Sequence, residues 1–96
     1  MKNLELRENY RQVGTVNYED IITDGDGAQP TSRVLDGSSD HGYAQEWVEC
    51  GTYQGRQVKV VYLFDDDDIR DADGNEIEEA ENYPWDACMS RVEYTD

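Results

Sequence analysis

Basic residues, histidine and cysteine are all scarce in this chain. One histidine (His41) and two widely spaced cysteines (Cys50 and Cys88) are too few for a cysteine-rich zinc site. Two lysines and six arginines face 23 acidic residues, for a net charge of −15. Binding to nucleic acid needs basic side chains that displace counterions from phosphate, so direct contact with DNA, RNA or an anionic membrane is not expected. Long apolar runs are missing as well. The longest, Val60-Val61-Tyr62-Leu63-Phe64, falls far short of the ~20 residues that cross a bilayer. Met1–Glu5 lacks the apolar stretch of a secretory signal, and the expected setting is the cytoplasm, with both cysteines as reduced, partly buried thiols. There is no glycine-rich phosphate loop; Gly25 and Gly27 sit beside Asp24 and Asp26, which repel phosphate. Ser38-Ser39-Asp40-His41 contains the letters of a hydrolase triad, but immediate neighbours cannot reach its geometry and no nucleophile elbow surrounds them. Nothing here calls for catalysis or a cofactor, and the expectation is a non-enzymatic protein.

Leu, Ile, Val and Phe number only 17 of 96 residues. With this net charge, that composition borders on disorder. Seven tyrosines and two tryptophans oppose it, because each buried aromatic removes ~150–250 Å² from water. The expectation is one folded domain over 1–96 with a small, aromatic-rich core and a very polar shell.

Strand signals dominate. Leu4 and Leu6 alternate with charged neighbours, as in a half-buried strand, and Gly14-Thr15 suits a turn or bulge. Thr23–Pro30 and Gly37–Gly42 are dense in turn formers and read as loops. Trp47–Tyr53 and Gln57–Phe64 are rich in strand formers and flank Gln54-Gly55, which predicts a central hairpin over 47–64. In that register Trp47 faces Tyr62, Val48 faces Val61 and Cys50 faces Lys59. Trp47, Val58, Val60, Tyr62 and Phe64 then share the core side, while Val61 and Leu63 point the other way, as in a central strand covered on both faces. A second hairpin is predicted at Ile69–Ile77, with Gly74 left-handed in the turn, Ile69 opposite Ile77 and Arg70 opposite Glu76. A two-residue turn at Asp73-Gly74 would instead set Asp71 against Glu76, an unfavourable like-charge pair. Glu78–Asn82 allows one helical turn, ended by the Pro84 that follows. Tyr83-Pro84-Trp85 is expected to anchor through its rings. Ala87–Tyr94 reads as a last strand, with Met89, Arg91 and Glu93 on one side and Ser90, Val92 and Tyr94 on the other. The fold class is mainly β, or small α+β: an antiparallel sheet of about four to six short strands with one or two short helices.

The charge is uneven. Residues 65–96 hold thirteen acids against Arg70 and Arg91, while residues 1–64 hold ten acids and six bases. Asp65, Asp66, Asp67, Asp68, Asp71, Asp73, Glu76, Glu78, Glu79 and Glu81 place ten carboxylates within seventeen residues. An EF-hand is excluded there. With Gly74 at its sixth position, Asp71 and Asp73 fit, but Ile69 and Ala80 fall where the first Asp and the bidentate Glu belong. No metal site is assigned. In composition this third of the chain resembles the phage- or plasmid-encoded DNA mimics, including anti-restriction and some anti-CRISPR proteins. The resemblance implies a small inhibitor whose carboxylates stand where phosphates would, and a partner with a basic, nucleic-acid-binding surface. The alternative is an accessory domain whose acidity serves solubility or salt tolerance, although that purpose would spread the charge more evenly. A homodimer through an exposed edge strand is the other association the sequence allows.

Overall fold

The computed structural model describes residues 3–36 and 43–96. Seven strands form one sheet: β1 (Asn3–Glu8), β2 (Arg11–Asn17), β3 (Ile22–Thr23), β4 (Gln29–Asp36), β5 (Tyr43–Tyr53), β6 (Arg56–Asp65) and β7 (Met89–Tyr94). Their order is β2-β1-β7-β6-β5-β3, with β4 also pairing β5. All pairs are antiparallel except β1 with β7. The fold is thus mainly β, with one four-residue helix, α1 (Trp85–Cys88), and three short 3-10 turns among the described residues.

The central hairpin has the register expected from its turn: Trp47 opposes Tyr62, Val48 opposes Val61 and Cys50 opposes Lys59. Gln54 and Gly55 both take positive φ, the two-residue turn whose twist matches its strands. On β6 the even positions Val58, Val60, Tyr62 and Phe64 are buried, and so is Val61 on the opposite face, consistent with a central strand. These four join Leu4, Leu6, Val16, Ile21, Ile69 and Val92 in one core. The opposite face is covered largely by charged side chains. Arg7 pairs with Glu5 at 2.7 Å and Arg91 with Glu93 at 3.1 Å, and their aliphatic stems shield the sheet from water. Glu46, also buried, accepts from Thr31 Oγ1 at 3.2 Å.

Two expectations shift by a residue or more. The β1–β2 turn is at Asn9-Tyr10, both with positive φ, while Gly14 lies inside β2 opposite Leu6, beside a register shift. The predicted bulge is present, but the turn precedes it. In β7 the register slips between Val61 and Tyr62, so that Arg91 opposes Val61 and Met89 opposes Tyr62. The slip leaves Ser90 as the extra residue and turns Met89 to the core side with Val92 and Tyr94, against the simple alternation expected from sequence. Cys50 is exposed where a partly buried thiol was expected, and Cys88 is half-buried. The Ser38–His41 motif and the Gly37–Gly42 loop lie outside the described residues. Among the described residues no helix is long and apolar enough to cross a membrane.

Near the sheet's other end, Arg56 bonds Glu8 and Asp96 and lies 3.7 Å over the Tyr94 ring. Hydrogen bonding to that guanidinium holds the Asp96 carboxyl below its usual range.

Candidate functional site

The acidic segment is built onto the sheet. As β6 ends, Asp65 caps a 3-10 turn over Asp66–Ile69 through a reciprocal box: its side chain accepts from the Asp68 backbone, and Asp68 Oδ2 accepts from Asp65 N at 2.8 Å. Ile69 is buried in the core and accepts from Ile77 N at 2.7 Å. Arg70 bridges Glu76 through the backbone. The turn between them is the expected one: Gly74 has φ +83° and donates to Asp71 O at 3.0 Å. Asp71 Oδ1 accepts from Asp73 N and Asn75 N at 2.9 and 3.0 Å, and Arg70 donates to Gly74 O at 3.1 Å.

The ten acids therefore divide by role. Asp65, Asp68 and Asp71 hold the segment's own backbone. Asp67, Asp73, Glu76, Glu78, Glu79 and Glu81 are exposed; Asp66 lies in the turn. A shallow hollow of about 850 Å³ runs beside them, lined by Asp71, Asn75, Glu76, Glu79 and Asn82 among others. The result is a folded ridge of carboxylates, with Arg70 as its one base. Among the described residues no group of three or more His, Cys, Asp or Glu gathers in a way that could hold a metal ion.

A second site lies on the core face and was not read from the sequence. Trp85, placed by α1, meets four rings: Phe64 at 4.8 Å, Tyr62 at 4.9 Å, Trp47 at 5.4 Å and Tyr83 at 5.9 Å between centroids. Its Nε1 donates to Ala80 O at 2.9 Å, which ties the end of the acidic segment to the core. Beside this cluster is a pocket of about 410 Å³ walled by Tyr18, Trp47, Tyr62, Trp85 and Met89. Three carboxylates line it too: the half-buried Glu49 and the exposed Glu81 and Asp86. Glu49 Oε1 accepts from Tyr18 Oη at 2.7 Å and from Tyr62 Oη at 3.0 Å. Burial first, then the neighbouring carboxylate, raises both phenols above their ordinary values, so both stay protonated donors. A signal for this site was present: Glu49 is two residues from Trp47, and strand alternation puts both on the core face.

No protein-family model, curated protein or solved structure matches this chain.

Proposed function

We propose that this protein is a small acidic interaction domain whose 65–81 ridge occupies the basic, nucleic-acid-binding surface of a partner protein, in the manner of a DNA-mimic inhibitor. One observation carries the reading: the carboxylates sit on a ridge pinned by Ile69, the Asp65–Asp68 box and the Trp85 indole. A fixed ridge loses less conformational freedom on binding than a loose acidic tail. Its charge speeds encounter with a basic surface and excludes anionic ones. A second reading, acidity for solubility, draws on Glu19, Asp20, Asp24 and Asp26, which are also exposed but lie outside the ridge.

The test replaces Asp73, Glu76, Glu78 and Glu79 by their amides, sparing Asp68 and Asp71 because these hold the turn. Pull-down from cell extract at low and high salt, with mass spectrometry, should show basic partners captured by the parent at low salt and lost by the variant. Identical captured sets for both proteins would leave the charge as a matter of solubility.

A further inference from the structure

The core-face pocket combines features that the ridge does not use. Its walls are mostly aromatic and apolar, and among the described residues no basic side chain lines it. Glu49 is fixed by two tyrosine hydroxyls on Oε1. Both of these bonds fall on Oε1, and Oε2 takes no hydrogen bond from the described residues, so it can accept from an incoming donor. An anion would be repelled by Glu49, Glu81 and Asp86. A neutral apolar guest would desolvate the Glu49 carboxylate with nothing in return. A cation on an apolar stem meets both demands, since its head pairs with Oε2 and its stem lies along Trp47, Trp85 and Met89. At about 410 Å³ the pocket is within the ordinary range for a small ligand group.

We infer that this pocket is a cage for a cationic side chain, a lysine or arginine presented by the basic partner. The source of the cation rests on the function proposed above; the chemistry of the pocket does not. Glu81 both lines the pocket and ends the 65–81 ridge, so a partner bound at that end of the ridge has the cage within reach.

The chain has two tryptophans, so a ¹⁵N-labelled sample gives two indole N–H signals, both from rings in the pocket wall. Titration with n-butylguanidinium and n-butylammonium at constant ionic strength should move them along a saturable curve. Neutral n-butanol should bind about tenfold more weakly. Glu49→Gln should weaken both cations about tenfold and leave butanol unchanged. The ridge variant should bind the cations as the parent does, because general attraction to the acidic surface is not the cause. Butanol binding as tightly as the cations, or Glu49→Gln binding like the parent, overturns the cage. Cations weakened by the ridge variant and not by Glu49→Gln overturn it too. Should Glu49→Gln fail to fold, Glu81→Gln with Asp86→Asn, both at exposed positions, must still weaken the cations severalfold. Lost partner capture in the ridge variant, with a parent pocket that ignores the cations, refutes the cage alone. Saturable cation binding by a protein that captures no basic partner refutes the ridge reading alone.

Discussion

Replacing Trp85 by Ala should be among the most damaging single changes to this protein. The indole is only half-buried, yet it is the centre of the aromatic cluster and makes edge-on contacts with Trp47, Tyr62 and Phe64. Truncating a large aromatic costs about 3–5 kcal/mol. Partial exposure lowers that figure, and the ring pairs, worth about 0.5–1.5 kcal/mol each beyond burial, raise it again. The lost bond to Ala80 O adds about 1 kcal/mol. We expect a net loss of about 3–5 kcal/mol from a total of roughly 5–15 kcal/mol for a domain of this size. The melting temperature should fall by at least about 12 °C. Urea unfolding followed by circular dichroism, with Trp47 fluorescence as a second probe, measures it. Trp85→Phe keeps a ring and loses the N–H, and should cost about 1–2 kcal/mol. Trp47 is also half-buried and among the described residues meets two rings, at 5.4 and 6.1 Å, so Trp47→Ala should cost less, about 2 kcal/mol. A Trp85→Ala protein within about 1 kcal/mol of the parent, or a larger loss for Trp47→Ala, would refute the central place given to Trp85.

Two further outcomes follow from the geometry. A Cβ on Gly51 would lie 2.5 Å from the Ile22 carbonyl oxygen; Gly51→Ala must push β3 away, at about 1–3 kcal/mol, with faster amide exchange at Ile22 and Thr23, and an unchanged urea midpoint would count against the close approach. Tyr18 and Tyr62 have phenol pKa values raised in the fold above the unfolded value of about 10; their contribution is full below that pH and is lost as pH rises beyond it, so an alkaline stability titration should fall above pH ~10, and less steeply in Tyr62→Phe.

The central hairpin was legible because Gln54-Gly55 fixes its register and the alternation of Val58, Val60, Tyr62 and Phe64 fixes its face. The Ile69–Ile77 turn was legible for a similar reason: one glycine position avoids a like-charge pair. What sequence could not supply was long-range pairing. The parallel contact of β1 with β7 joins residues more than eighty apart, and no local pattern encodes it. The slip at Ser90 follows from fitting Arg91 opposite Val61 and Met89 opposite Tyr62 at once. Trp47 was placed on the core side by strand alternation, and Tyr83-Pro84-Trp85 was expected to anchor through its rings; that Trp85 rather than Trp47 is the centre of the cluster depends on where the four-residue α1 sets it, and that helix is too short to leave a periodic signal. The ridge residues were picked out by charge alone, and their division into those that hold the turn and those that face water depends on hydrogen bonds invisible in composition. Glu49 was passed over because its two tyrosine partners lie thirteen and thirty-one residues away.

The place of β7 in the sheet has a consequence for synthesis on the ribosome. Hairpins β1–β2 and β5–β6 are local and can form as soon as they emerge, but β7 lies between β1 and β6 and is made after both. Until residues 89–94 leave the exit tunnel, the sheet exists as two fragments, each with a bare edge where the missing strand belongs. Such edges invite pairing with neighbouring nascent chains. Ten of the acidic residues lie in 65–81 and are made before β7, so the waiting fragments carry the mutual repulsion that keeps copies apart. Closure then depends on contacts distant in sequence, which makes folding slow and late. A chain arrested before Met89 should expose both edges, and a chain arrested after Tyr94 has been released from the tunnel should not.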